Sequence, residues 1–357
     1  MRVISPLVPH VASISLAASE ESGRQGGLGP SIGTPVLWGG LIIGVIVLLV
    51  VDFVVTRKPH EVSMKEATYW SIFYIALPLL FGVFLWVDLG SQIGLEFLTG
   101  YVVEKSLSVD NLFVFILLLS AFAVPKELQQ RVLLYGIIGA LVLRAIFIAL
   151  GAAALSRFDW VFLIFGLILV ATAVKVLRDA MSDEEEEIEV DDLKVVQVVR
   201  KVVPVTSEYE GPKVLSRVDG KRAITPFALV CIVVLATDVV FAVDSVPAVF
   251  GITGDAYLVF ATNAFALLGL RALYFVLEGA LSQLVHLGYG LAAILAFIGA
   301  KLVLHWGHLV NPSVPEVPTV WSLVVVVGIL AVVTATSLYS TKRRAPEPDH
   351  DGSALHG

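Results

Sequence analysis

The chain has 357 residues, 57% of them hydrophobic and only 15% charged, with a mean hydropathy of +0.88 and a formal net charge of −7. Composition this apolar excludes a soluble globular domain and a disordered chain, and it indicates an all-α polytopic membrane protein. The lone Cys231 excludes an internal disulfide framework, and nothing in the charge balance points to nucleic acid.

Residues 1–35 are rich in Gly, Ser and Pro, with a short apolar patch from Val11 to Ala18. Pro6 and Pro9 interrupt the approach to that patch, and Arg2 is its whole basic region. A disordered external tail is therefore expected rather than a cleaved signal peptide. A helix needs roughly 20 mostly apolar residues to cross the hydrocarbon core, where every backbone polar group must be satisfied internally. Nine stretches qualify: residues 36–55, 69–88, 101–123, 132–154, 159–177, 226–250, 256–277, 283–304 and 320–340. Together they form a transmembrane domain over 36–340.

Asp52, in the first span, lies close to Arg57 and Lys58 and reads as an interfacial charge. The second span contains Pro78 and ends in Trp86-Val-Asp88, an interfacial aromatic arrangement. A loop over 178–225 divides the later spans. It opens with eight acids in the ten residues Asp183 to Asp192, which read as a solvated charge run rather than a calcium cage, since no turn-forming glycine interrupts them. Leu193, Val196, Val199 and Val203 then recur at helical spacing among Lys194, Arg200 and Lys201, which predicts an amphipathic helix on the inner leaflet. Asp219-Gly220 predicts a short hairpin.

Basic residues resist translocation, so their distribution sets orientation. Arg57, Lys58 and Lys65, then Lys126 and Arg131, then the series from Lys175 to Arg222, then Lys342 to Arg344 fall on one side of a nine-span chain. Arg2, Arg24 and Arg157 fall on the other. The N-terminus is expected outside and the tail 341–357 in the cytoplasm, with the chain in a plasma or inner membrane.

Polar landmarks recur in order. Glu104, Asp110 and Asn111 correspond to Asp238, Asp244 and Ser245; Leu143-Arg144-Ala145 to Leu270-Arg271-Ala272; and Ala173-Val-Lys175 resembles Gly299-Ala-Lys301. The units, about 101–177 and 226–304, each hold three spans and enter the bilayer from opposite sides, which makes an inverted repeat. Such repeats place a substrate near the midplane and transport by rocking one half against the other.

An ionised carboxylate at the centre of a span costs roughly 2.5 to 3.5 kcal/mol on insertion scales, so four together cost on the order of 10 kcal/mol. Compensation is expected from protonation, from Lys105, Arg144, Arg271 and Lys301, from water, or from a bound cation. Six residues of helix advance about 9 Å and turn by about 240°, so each acid pair spans two levels of a pathway. Asp110 and Asp244 are expected to share a central site, with Glu104 and Asp238 as gates on opposite sides. Pro247 invites a kink near Asp244. Asn111, Ser245, Thr237, Thr262 and, at lower rank, Asn263 add neutral oxygens. Hard donors of this kind suit Mn²⁺, Mg²⁺ or Ca²⁺ rather than a soft metal. His305 and His308, spaced His-x-x-His, read as interfacial.

The stretches Glu104-Lys-Ser-Leu-Ser-Val-Asp-Asn-Leu-Phe-Val-Phe115 and Ala236-Thr-Asp-Val-Val-Phe-Ala-Val-Asp-Ser-Val-Pro-Ala-Val-Phe-Gly-Ile-Thr253 resemble the TerC family of integral membrane proteins, in particular its Alx-type members. Thr262 to Phe275 and Pro204 to Tyr209 extend the resemblance over about residues 36–340. It implies a multi-pass helical fold, an association with tellurium resistance, Mn²⁺ efflux as the leading activity, and the metal-site positions Glu104, Asp110, Asn111, Asp238, Asp244 and Ser245. The expected function is export of a divalent cation, first of all Mn²⁺, in exchange for protons, with no tightly bound cofactor and no enzymatic activity. A competing expectation is a membrane-biogenesis or metal-delivery partner that supports external metalloenzymes or membrane protein insertion.

Overall fold

The computed structural model describes residues 31–55, 62–182, 190, 193–206, 208–218, 221–278 and 286–344, without the side chains of Asp110, Val218, Lys221, Leu338 and residues 341–344. The expected external tail, nearly all of the acidic run and most of the C-terminal tail lie outside the described residues.

Eleven helices and one hairpin follow in order: α1 (Pro35–Val55), α2 (Met64–Asp88), α3 (Ser91–Ala121), α4 (Lys126–Leu155), α5 (Trp160–Met181), α6 (Lys194–Val202), β1 (Leu215–Val218), β2 (Lys221–Ile224), α7 (Pro226–Phe250), α8 (Ala256–Leu268), α9 (Leu270–Glu278), α10 (Leu287–Val310) and α11 (Thr319–Arg344). Side-chain caps fix several starts. Ser63 accepts from the Glu66 amide, Thr225 from Ala228 with Pro226 at the first helical position, and Asp255 from Tyr257. Asp255 also accepts from Ser31 Oγ at 2.7 Å and the Ile32 amide at 2.6 Å, which pins the lead-in to α1.

Among the described residues, seven single helices are long and apolar enough to span a bilayer, and α8 with α9, bent by 43°, makes an eighth. The ninth expected span is α3. Its 31 residues are ample in length, but it carries Glu96, Glu104, Lys105 and Asp110, so no 18-residue stretch of it has fewer than three charged residues. The outer faces of α1 and α2 expose Ile43, Leu80 and Val87 at 64%, 67% and 80%, a continuous apolar surface that suits acyl chains and not water. The expected kink at Pro247 does not divide α7, which remains one helix to Phe250. The break lies at Gly269 instead, inside what the sequence presents as a single span.

Packing is governed by small residues. Gly166 of α5 and Gly299 of α10 meet backbone to backbone: a Cβ on Gly166 would lie 2.8 Å from the Gly299 carbonyl oxygen, and one on Gly299 would lie 2.9 Å from that of Gly166. Phe162 against His305 and Gly166 against Val303 and Gly299 make α5 and α10 antiparallel. Gly136 on Val234, Gly139 on Leu235 and Gly151 on Phe250 make α4 and α7 parallel. Gly100 on Thr262, followed by Lys105 on Ala266, does the same for α3 and α8. Exchanging α3 with α7, α4 with the α8–α9 pair, and α5 with α10 maps these neighbours onto one another.

The predicted hairpin is present as β1 and β2, paired antiparallel from Leu215 with Ile224 to Val218 with Lys221. The amphipathic helix is also present as α6, but it docks on the bundle: Val196 is fully buried and α6 packs on α7. Tyr209 Oη donates to the Phe122 carbonyl at 2.8 Å, which ties this loop to the end of α3.

The contact between Gly166 and Gly299 leaves no room for a branched side chain. Gly166→Val is expected to destabilise the detergent-solubilised protein by about 1–3 kcal/mol, the usual cost of overpacking, read as a lower thermal midpoint. An unchanged midpoint would contradict the backbone contact.

Candidate functional site

The middle of α3 and the middle of α7 carry one acid each. Glu104 lies 13 residues after Ser91 and 17 before Ala121, and Asp238 lies 12 residues from either end of α7. Neither has lipid as a neighbour: Glu104 is fully buried and Asp238 is 2% exposed. Both converge on Arg144 of α4, itself 1% exposed.

All three guanidinium nitrogens are engaged. Arg144 Nη2 donates to Asp238 Oδ1 at 3.0 Å and Nε to Asp238 Oδ2 at 3.3 Å, a bidentate pair. Nη1 donates to Glu104 Oε1 and to Asn263 Oδ1, the latter at 2.8 Å. Asn263 Nδ2 donates to the Val259 carbonyl at 3.0 Å, which leaves its oxygen facing the guanidinium. Three of the four hydrogen bonds run from the first unit to the second. With all groups ionised, two carboxylates face one guanidinium, a formal excess of one negative charge.

Seven helical residues return to within about 20° of the starting direction. Glu104 and Asn111 therefore share a face of α3, with Tyr101 and Ser108 between and beside them, as Asp238 and Ser245 share a face of α7. This stripe is buried and underused. Glu104 Oε2, Tyr101 Oη, Ser108 Oγ, Asn111 Nδ2 and Ser245 Oγ have no hydrogen-bond partner among the described residues. Buried polar atoms left unpaired are costly and call for water or an ion.

The expected arrangement is corrected in one respect. Glu104 and Asp238 are not gates on opposite sides; they meet on Arg144. Asp244, six residues beyond Asp238, turns off the buried stripe and is partly buried, near enough to feel the charges of Glu104 and Arg144 but bonded to neither. The Asp110 side chain lies outside the described residues. Thr237 and Thr262 bond back to the Val233 and Val259 carbonyls. Among the described residues, no three His, Cys, Asp or Glu side chains converge closely enough to hold a metal ion.

A second buried ion pair was not legible as such. Asp52, read from sequence as interfacial, is 1% exposed and accepts from Arg271 Nη2 at 2.9 Å and Tyr74 Oη at 2.8 Å, while Arg271 Nη1 donates to Gln130 Oε1 at 3.3 Å. The two arginines thus serve different partners: Arg144 joins α4 to α3, α7 and α8, and Arg271 joins α9 to α1 and α4.

A cavity of about 450 Å³ opens at the bundle end formed by the α2–α3, α7–α8 and α10–α11 turns, lined by Glu96, Thr253, Lys301, His305 and Glu316. Glu96 precedes Glu104 by eight residues, about 12 Å along α3. Toward the opposite end, the space beside Asp238 shrinks to a void of about 10 Å³ walled by Phe115, Leu133, Ile137 and Leu267, no larger than one water. His305 and His308 do not converge: His305 Nδ1 lies 2.7 Å from Glu316 Oε1, and His308 Nδ1 lies 2.7 Å from the Val314 carbonyl oxygen.

The fold and this centre define a polytopic helical membrane protein built around an intramembrane charge cluster. The chain belongs to the TerC family of integral membrane proteins, whose description matches residues 89–345. It is 39% identical over 323 residues to an uncharacterised membrane protein, STKORF319, of Myxococcus xanthus, covering 90% of this chain and 98% of that one. It is 42% identical over 313 residues to the "Putative membrane-bound redox modulator Alx" of Escherichia coli K12, covering 85% and 94%. An uncharacterised membrane protein of Mycobacterium tuberculosis, Rv2723, is 39% identical over 319 residues, covering 87% and 80%. No solved structure matches.

Removing Arg144 alone strands two buried carboxylates, whereas neutralising both acids as well leaves two amides, whose burial costs far less than that of unpaired charges. Arg144→Met is expected to cost about 3–5 kcal/mol of stability, and adding Glu104→Gln and Asp238→Asn to recover most of it. Thermal midpoints in detergent check this; a triple variant less stable than the single one would contradict the cluster.

Proposed function

We propose that the chain is a transporter rather than an enzyme, and that it exports a divalent cation, Mn²⁺ first among the hard cations, by alternating access between its two units. The observation that carries this reading is the convergence at mid-span of one carboxylate from each unit, Glu104 and Asp238, on Arg144 and the Asn263 oxygen. The unpaired Glu104 Oε2, Ser108 Oγ and Ser245 Oγ beside them supply further hard oxygens.

In this reading Arg144 holds the carboxylates when no ion is present. A divalent cation arriving from the basic-rich, cytoplasmic end competes for the same oxygens, and the excess negative charge of the cluster favours it over leaving the acids paired with one guanidinium. The three hydrogen bonds that Arg144 makes to the second unit are then released, which frees the units to rock. Asp244, partly buried and without a side-chain partner among the described residues, receives the ion next, and the cavity beyond Glu96 gives it an exit. Protons returning to the carboxylates would neutralise the emptied site, since an unpaired ionised acid is costly at this depth. The neighbour relations among α3, α4, α5, α7, α8 and α10 support the inverted repeat on which such a cycle rests. A redox role like that in the Escherichia coli relative's name would not use an internal disulfide here, because Cys231 is the only cysteine.

The test is cytoplasmic manganese in cells lacking or expressing the protein. Expression is expected to lower it, and Glu104→Gln, Asp238→Asn and Asp244→Asn to return it to the level of cells without the protein while the variants still reach the membrane. Metal content indifferent to the protein and to all three variants would sink the export reading and favour the partner role.

A further inference from the structure

Among the described residues two intramembrane lysines form no ion pair: Lys301, whose ammonium donates to Ser322 Oγ at 3.1 Å, and Lys105. Lys105 follows Glu104 on α3, yet among the described residues it forms no ion pair; Glu104 is taken by Arg144. The Lys105 ammonium reaches across to α8 and donates to the Ala266 carbonyl at 3.3 Å. That carbonyl belongs to the last turn of α8, which stops at Leu268 before the chain bends by 43° at Gly269 into α9.

A helix that ends inside a bundle leaves its final carbonyls unpaired and carries roughly half a negative charge there. In water this is inconsequential; at membrane depth it needs a cation. Broken helices in transporters meet the need with a bound ion held by their C-terminal carbonyls. Here the ammonium is where such an ion would be. Gly269 keeps the place open: a Cβ on it would come 3.1 Å from Lys105 Nζ and 2.9 Å from Tyr74 Cβ. An ammonium resembles K⁺ in charge and size and bonds to carbonyl oxygens in the same way, and its tether makes it permanent. Two residues past the bend, Arg271 fastens α9 to Asp52, so the break is held at a fixed place.

We propose that the α8–α9 break is a monovalent-cation site which the chain fills with its own Lys105 ammonium, making it independent of Na⁺ and K⁺. Removing the lysine opens the site to an exchangeable ion. This goes beyond the export reading and depends on it only where transport is measured.

The experiment uses the full-length purified protein and its Lys105→Met variant, with Lys105→Arg as the conservative control, in KCl, NaCl or N-methyl-D-glucamine chloride at equal ionic strength. The thermal midpoint of the wild type and of Lys105→Arg is expected to be the same in all three salts. That of Lys105→Met is expected to be lower in the organic cation and to rise by about 3 °C or more in KCl or NaCl, as for any ligand that binds only the folded state. In proteoliposomes, Mn²⁺ flux through Lys105→Met should follow the same salt dependence, while wild-type flux ignores it.

A Lys105→Met midpoint equal in all three salts overturns the proposal, whether that midpoint is wild-type or uniformly lowered. So does failure to recover both Lys105→Met and Lys105→Gln from cells, because cytoplasmic K⁺ would have filled the vacated site. Absence of wild-type Mn²⁺ flux counts against the export reading alone, since the midpoints decide this one without transport.

Discussion

A guanidinium at the centre of an apolar bundle is the constraint to which the rest of this molecule answers. Arg144 cannot lose its proton, and its five N–H donors must be satisfied in a fork of fixed geometry. Two carboxylates and one amide oxygen from three other helices accept four hydrogen bonds from it, and each has to arrive with the right face turned inward. The registers of α3 and α7 and the approach of α8 are therefore set together. A cluster of this kind is seldom retained for stability alone, because well-packed apolar residues of similar volume are often as good or better. Keeping three charges at mid-span is an argument for use.

The two repeat units share landmarks but not surroundings. Arg144 bonds across the units, and Arg271 bonds to Asp52 of α1, outside the repeat, and to Gln130 of α4. The additional helices α1 and α2 pack on the second unit's broken helix through Trp38 against Tyr257 and through Tyr74 beside Gly269. One arginine ties α4 to α3, α7 and α8, and the other fastens α9 to α1 and α4.

Much of this was legible in the sequence because acids and bases are so improbable in lipid that Glu104, Arg144 and Asp238 stand out as residues in need of partners. The helical class, the spans and the hairpin at Asp219-Gly220 followed from hydropathy and turn chemistry. The pairing within the site did not follow from the conspicuous i, i+6 spacing of Glu104 to Asp110, because burial follows the i, i+7 spacing of Glu104 to Asn111 and Asp238 to Ser245. That second period was available in the same residues. Asp52 was hidden for a different reason: an acid five residues before Arg57 has a nearer explanation than a partner at Arg271, and only the tertiary fold supplies the alternative. The break at Gly269 was equally silent, since a glycine in an apolar run is common in membrane helices, whereas Pro247, the residue that draws the eye, is accommodated in the last turn of α7.

Glu104 and Lys105 are adjacent, and that adjacency links the two halves of the picture. Successive residues on a helix point about 100° apart, so one peptide of α3 sends its acid to Arg144 and its base to the end of α8. The carboxylate is thereby relieved of a salt bridge to its own neighbour and remains part of a centre with excess negative charge. The ammonium still feels the neighbouring carboxylate but gives its hydrogen bond to the Ala266 carbonyl at the end of α8. Were Lys105 to neutralise Glu104 instead, the centre would lose its attraction for a cation and the end of α8 would lose its counter-charge at the same moment. Any movement of α3 that disturbs Glu104 must also disturb the cap on α8, and the charge cluster and the broken helix are mechanically one device.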